Sequence, residues 1–348
     1  MSEFERILIR APNWVGDFVM ATPVFRCMRE SFPDAKITLA LRPYLKPILD
    51  DAPWSDDVLP CDDAGGLGSL PAILSTAWRL RKRELDLALI LPNSLKTALE
   101  ARLGGAKRRV GYARDGRSRL LTDALPRPSQ DGKFLPTYMG DYYLRLCEHI
   151  GCEVKDRSLQ LFVSPQCEDE ATTVLKSRGA DPGTPFAILN PGASFGPSKL
   201  WPPDRFAAVG DALAEEFGFQ ILISGSPRED ETVEEVRSSM KTPAFNLAHG
   251  EPVMGLDHLK SLVKRCALLV TLDSGPRHFA VAFERPVVTI MGPNSPLYTD
   301  TPLERGIVVR EQVDCGPCQQ KHCTTDHRCM LRITPENVLA ACRKVLRN

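Results

Sequence analysis

The stretch RILIRAPNWVGDFVMATPVFRCMRESF, residues 6–32, runs through three patterns in succession. RILIR is an apolar run of strand length, APNWVGD is a loop of small and polar residues, and ATPVFRCMRESF spaces its apolar residues as an amphipathic helix does. A strand that can be buried on both faces and leads through a short loop into a helix is half of a parallel βαβ unit. Comparable runs recur along the chain. Strands are expected at 6–10, KITLA (36–40), LDLALIL (85–91), RRVGY (108–112), FAILN (186–190), FQILIS (219–224), ALLVTL (267–272) and PVVTIM (286–291). Helical segments such as DRFAAVGDALAEEF and DETVEEVRSSM lie between them, so the expected fold class is α/β, with doubly wound parallel sheets.

A chain of 348 residues exceeds the size at which one core stops growing, about 250–300 residues. The alternation weakens across GCEVKDRSLQLFVSPQ (151–166) and resumes with a helix at Glu168. This places one domain at 1–165 and a second at 166–334, with a final helix at 335–348 that opens on Pro335, a residue suited to a first helical position.

Lys plus Arg equal Asp plus Glu at 44 each, so no overall field favours nucleic acid. The N-terminus MSEFERILIR has acidic residues and an early Arg10 where a secretion signal would have a basic start and an unbroken apolar core. The longest apolar runs, such as LALILP, fall well short of the ~20 residues that cross a bilayer. Eleven cysteines, an odd number over a long chain, suit a reducing compartment, and a cytoplasmic location is expected.

Ligands of such sheets bind beyond the carboxyl ends of the strands, so the loops there come first. In the opening loop Gly16 offers a backbone closed to other residues, and Asp17 stands at the start of a helix. On the residues alone, capping by Asn13 or Asp17 is the simpler reading. NPGASFGPSKLWPP (190–203) combines small residues with the Ser194 hydroxyl and the Lys199 charge, which suit phosphate oxygens, although the spacing is not that of a P-loop. In GSPRED, Gly225 and Ser226 follow a strand and Glu229 could accept from ribose hydroxyls. LVTLDSGPRHFAVA (269–282) ends a strand at Asp273, turns at Ser274 and Gly275, and starts a helix whose N-terminus suits phosphate, with Arg277 and His278 as added donors. Asp273 itself would repel a diphosphate and is expected to cap the helix or hold sugar hydroxyls.

PNWVGDFVMATP, NPGASFGPSKLWP, GSPRED, DSGPRH, GPNSP and CGPCQQKHC followed by HRCM and ITPENV stand in an order that resembles the ADP-heptose:lipopolysaccharide heptosyltransferases, glycosyltransferase family 9, over nearly the whole chain. The opening loop and the cysteine region are most similar to the heptosyltransferase II branch. The resemblance implies a GT-B arrangement, two Rossmann-like domains facing a cleft. The acceptor is then mainly on the first domain, the nucleotide sugar on the second, and the final helix packs back toward the first. It also implies that Asp17 is the general base of an inverting transfer of heptose from ADP-heptose, and that Lys199 with Ser194 meets the phosphates. Glu229 then falls near the ribose, and Asp273, Ser274, Gly275 and His278 lie on the donor motif. Arg277 stands where the family is often apolar. No DxD motif is present, and no cofactor beyond the ADP-heptose donor is expected.

Between Arg102 and Arg127 eight basic residues face two acidic ones, Asp115 and Asp123. This concentration suggests an anionic partner, and lipopolysaccharide core fits it; Arg114 and Arg117, with Asn13 and Trp14, are assigned to the acceptor. Peripheral contact with anionic lipid at the cytoplasmic face of the inner membrane also fits, whereas the aromatic residues are too few for nucleic acid. Cys315, Cys318, Cys323 and Cys329 have a zinc-like first pair but are packed more tightly than common fingers. Reduced thiols are the default there, with structural zinc or an iron–sulfur group not favoured. The alternative functions are a related transferase with another nucleotide sugar or acceptor, a nicotinamide oxidoreductase, which the missing GxGxxG fingerprint disfavours, and a non-catalytic nucleotide-binding protein.

Overall fold

The structure, a computed structural model, describes residues 4–61, 69–131 and 133–347. The chain divides into two compact units, Met1–Gln160 and Leu161–Asn348, a few residues before the expected junction.

In the first unit the strands are β1 (Arg6–Arg10), β2 (Lys36–Leu41), β3 (Asp57–Pro60), β4 (Leu87–Ile90), β5 (Arg108–Tyr112) and β6 (Asp123–Leu125). They form one sheet in the order β3-β2-β1-β4-β5-β6, with every pairing parallel. The order reverses between β1 and β4, and that reversal opens a crevice at the strands' carboxyl ends. The helices are α1 (Val15–Met20), α2 (Thr22–Ser31), α3 (Ser69–Arg81), α4 (Leu95–Leu103) and α5 (Met139–His149). A two-stranded hairpin, β7 (Ser129–Gln130) with β8 (Lys133–Phe134), precedes α5. Leu8, Ala88 and Ile90 of the sheet meet Leu80 of α3 and Ala98 and Ala101 of α4 in one core cluster.

The second unit repeats the plan. Strands β9 (Phe186–Asn190), β10 (Gln220–Ile223), β11 (Ala244–Asn246), β12 (Leu268–Leu272), β13 (Val287–Ile290) and β14 (Gly306–Val309) take the order β11-β10-β9-β12-β13-β14, again all parallel. Its helices are α6 (Pro165–Ser177), α7 (Pro203–Phe217), α8 (Asp230–Ser239), α9 (Leu256–Arg265), α10 (Gly275–Ala282), α11 (Arg328–Leu331) and α12 (Pro335–Arg347). The last helix, α12, buries Val338, Ala341, Cys342 and Val345 in the second unit's core, against α7, β13 and β14. Its one apolar stripe is used there.

All eight expected strands form, and they are the four inner strands of each sheet. The four edge strands β3, β6, β11 and β14 were not anticipated. They are short and only partly buried, and β3, β6 and β11 lack an unbroken apolar run, whereas the GIVV of β14 is an apolar run of only four residues. Among the described residues no helix is long and apolar enough to cross a membrane, and all eleven cysteines are free thiols.

Phe206 on α7 is fully buried, edge-on to the Trp201 ring at 5.0 Å between centroids. Phe206→Ala should cost about 3–5 kcal/mol, seen as a lower urea midpoint with an unchanged m-value.

Candidate active site

The loop after β1 leads into α1, whose first turn carries Asp17. Trp14 holds the N-cap position, is half exposed, and makes no capping hydrogen bond with its side chain. Gly16 is helical rather than left-handed, which corrects the expectation of an unusual backbone there; what it contributes is the absence of a side chain beside Asp17. Tyr143 of α5 donates its hydroxyl to Asp17 Oδ1 at 3.1 Å. Burial, and then the Asp17 charge, holds the Tyr143 phenol far above its ordinary pKa, so it remains a donor. The two residues lie 126 positions apart, and no local pattern in the sequence announces Tyr143. Gly140 makes the pairing sterically feasible, because a Cβ there would meet the Tyr138 ring at 2.5 Å and the Met20 carbonyl at 3.3 Å.

Asn13 is held from two sides. Its side-chain oxygen accepts from Arg10 Nη2 at 3.3 Å, and its carbonyl accepts from the Tyr44 hydroxyl. Arg10 is itself buried, 3.9 Å from the buried carboxylate of Glu100. Glu100 lies above its ordinary pKa, chiefly through burial and against the pull of Arg10.

Arg114 is exposed, 3.8 Å from Asp115 and beside the Tyr142 hydroxyl. Arg117, expected at the acceptor, is instead fully buried. Its guanidinium donates to the carbonyls of Tyr112 and Pro92 and to Asn93 Oδ1. Burial lowers its pKa to about 10. Charge in a sequence does not reveal depth, and the loop turned this arginine inward to bracket the ends of β4 and β5.

In the second unit the loops after β9, β10, β12 and β13 converge. Asn190, at the end of β9, donates to the Gly192 carbonyl at 3.2 Å and to Ser274 Oγ at 3.4 Å, and it accepts from Ser224 Oγ at 3.0 Å. Asp273, only 6% exposed, accepts from Lys199 Nζ at 2.8 Å and from Asn294 Nδ2 at 2.7 Å, with Arg277 Nη1 at 3.5 Å. Burial raises the Asp273 pKa, but Lys199, Arg277 and Asn294 outweigh it and the net displacement is downward. The hydrogen bonds from Lys199 and Asn294 both fall on Oδ2, while Oδ1 faces the Arg277 guanidinium at ion-pair distance. Lys199 also donates to the Asp273 carbonyl. An ammonium has three hydrogens, so these two bonds do not use all of its donor capacity.

Arg277, expected to bind phosphate, is fully buried. Its guanidinium is shared among Glu304, Thr299 and Asp300, so it braces the 299–304 loop rather than a ligand. Opposed by burial but dominated by those carboxylates, its pKa is raised. His278 is buried too, and its Nδ1 makes no hydrogen bond among the described residues. Burial, then the Arg277 charge, lowers its pKa from 6.5 to about 3, which leaves the ring neutral.

Ser194 and Ser226 are exposed, whereas Ser274 is half buried and hydrogen-bonded to Thr271 at 3.1 Å. Gly275 begins α10. Glu229 Oε2 accepts from the Ser226 amide and hydroxyl, both at 2.8 Å. Its other oxygen lies over Gly192, where an added Cβ would meet Oε1 at 2.3 Å. Gly225 is needed for packing, since a Cβ there would lie 2.7 Å from Val233 Cγ2.

The cysteine-rich segment straps this arrangement. The Ser198 amide and hydroxyl donate to the carbonyls of Lys321 and Gln320 at 3.1 and 2.5 Å, and His327 Nε2 donates to the Ser198 carbonyl at 2.7 Å. Cys315, Cys318, Cys323 and Cys329 line a cavity of about 130 Å³ beside His327. Among the described residues no three potential ligands are placed to hold a metal ion.

The sequence profile of Glycosyltransferase family 9 (heptosyltransferase) matches residues 73–328. The chain belongs to this family. The family-9 chain is 29% identical to "Lipopolysaccharide heptosyltransferase 2" of Escherichia coli K12, over 96% of each chain. Among solved structures, E. coli ADP-heptose lps heptosyltransferase II superposes with a TM-score of 0.80 at 28% identity, covering 98% of both chains. A glycosyl transferase family 9 protein from Veillonella parvula shares the fold at a TM-score of 0.84 and 22% identity, over 99% of this chain and 98% of that one. The protein is therefore a glycosyltransferase enzyme with the two-sheet α/β fold of these structures.

Arg277→Met leaves the buried Glu304 and Asp273 without their shared cation and should destabilise the fold by about 3–5 kcal/mol, measured by guanidinium denaturation. His278 binds its proton in the unfolded chain below pH 6.5 but in the folded chain only near pH 3. Stability should consequently fall by about 1.4 kcal/mol per pH unit on acidification through that window. Denaturation curves of His278→Gln should lack this contribution.

Proposed function

We propose that this enzyme transfers heptose from ADP-heptose to the inner core of lipopolysaccharide, with inversion at the anomeric carbon and without an obligatory divalent metal. The observation that carries the reading is the end-to-end similarity to heptosyltransferase 2 of Escherichia coli, on the sequence and on the fold. The loop chemistry is consistent with it. In this reading Asp17 takes the proton of the acceptor hydroxyl as its oxygen bonds to the anomeric carbon and the bond to the ADP phosphate oxygen breaks. Tyr143 holds the carboxylate in one orientation, so less ordering is needed at the moment of transfer.

Charge develops on the departing ADP, and the remaining Lys199 hydrogen with the first-turn amides of α10 can meet it. Asp273 keeps the ammonium aimed and partly neutralised, and Arg277 and His278 act behind it as positioning residues. Glu229, beside Gly192, takes the ribose hydroxyls. The acceptor meets the first unit at Asn13, Trp14 and the exposed Arg114, in a cytoplasmic enzyme that touches an anionic membrane peripherally.

ADP release from ADP-heptose with a deacylated inner-core acceptor tests the reading. Asp17→Asn should bind ADP as the parent does by calorimetry yet turn over at least about 100-fold more slowly, with ~10⁴ as the upper range for losing one acid/base group. Undiminished turnover in that variant removes Asp17 from the chemistry. Turnover with a different nucleotide sugar, and none with ADP-heptose, replaces the donor.

A further inference from the structure

The first unit has an exposed face that the proposed chemistry does not use. Leu70, Leu74 and Trp78 of α3 are 57%, 52% and 60% exposed, and their four-residue spacing stacks them along one side of the helix. The adjoining side of α3 buries Ile73, Ala77 and Leu80. The neighbouring helix α4 adds exposed Leu95 and Leu103. Five large apolar side chains are thus exposed on two helices that pack side by side.

The exposed charges on these two helices have one sign. No Asp or Glu occurs on α3; Arg79 and Arg81 lie in its last turn, and Lys82 follows with its ammonium 3.5 Å from the centre of the Trp78 ring. The one carboxylate of α4, Glu100, is buried, while Arg102 at its end is exposed and donates to the Arg119 carbonyl at 3.2 Å. Arg81, Lys82, Arg102 and Arg119 thus form an exposed cationic rim beside the apolar stripe.

A second copy of the chain is a poor occupant, because pairing this face with itself would bring the same cations together with no exposed carboxylate on either helix to offset them. An anionic lipid surface suits both features: apolar side chains enter the acyl boundary, and lysine and arginine reach the headgroups. Trp78 with Lys82 over its ring is the kind of pair that sits at headgroup level.

We infer that the α3–α4 face, through Leu70, Leu74 and Trp78 and the rim of Arg81, Lys82 and Arg102, docks the protein on an anionic bilayer. This names the surface for the membrane contact proposed above and rests on that reading for its purpose.

The full chain is sedimented with vesicles of phosphatidylglycerol and phosphatidylcholine, without donor or lipopolysaccharide, and with vesicles of phosphatidylcholine alone. Binding is expected to the anionic vesicles only, weakening as salt rises. Arg81→Gln with Lys82→Gln should weaken it about 25-fold, and Leu74→Ser with Trp78→Ser at least about tenfold, while ADP affinity stays at the parent value in both. Equal binding to both kinds of vesicle, or parental binding by both variants, overturns the inference. So does a dimer in light scattering that Leu74→Ser dissolves, which would give the face to a second copy. If vesicle binding is absent while transfer to the soluble acceptor persists, the docking inference falls alone. If vesicles bind and transfer is absent, the functional reading falls alone.

Discussion

A carboxylate with 6% exposure can remain charged only where cations and donors replace the water it has lost. At Asp273 that replacement is supplied by Lys199 from the loop after β9, Arg277 from α10 and Asn294 from the loop after β13. Arg277 in turn draws Glu304, Asp300 and Thr299 inward. One buried charge therefore ties together loops that are distant in the chain. Removing either cation would leave the buried carboxylate under-compensated, which favours one arrangement of the loops over many.

Asn190 adds a neutral counterpart by bonding toward Gly192, Ser274 and Ser224. The Lys199 turn is further fixed by the backbone of the cysteine-rich segment through Ser198 and His327. That segment gives the turn a support, whatever its thiols do. In the first unit the same economy appears with fewer groups: a permanently protonated Tyr143 restrains Asp17, and Arg10 restrains Asn13. Both loop sets lie at the carboxyl ends of sheets whose strand order reverses beside them, which is where open parallel sheets leave room for ligands.

How far the sequence could be read follows the same physics. Inner strands such as FAILN and LLVTL are apolar on both faces and unmistakable, whereas edge strands such as DAL and AFN are short and half wet. The loops with chemical content were equally legible, because Gly, Pro, Ser and a lone charge at a strand exit have few structural alternatives. The roles of individual charges inside those loops were not. Arg117 and Arg277 look like surface donors in sequence and are fully buried braces in space. Tyr143 carries no local signal, and Asn190 and Asn294, though inside recognisable motifs, show their bonding roles only through partners far along the chain.

By itself, then, the order of apolar runs and turn residues determined a two-unit α/β chain, because periodicity and backbone-specific residues act locally, while the ordered motifs carried the resemblance to family 9 that the profile match shows. Only the tertiary structure decided which charges are buried against one another and which stay exposed. Burial and ion pairing depend on segments brought together by folding, and a side chain's neighbours across a sheet are not written beside it in the chain.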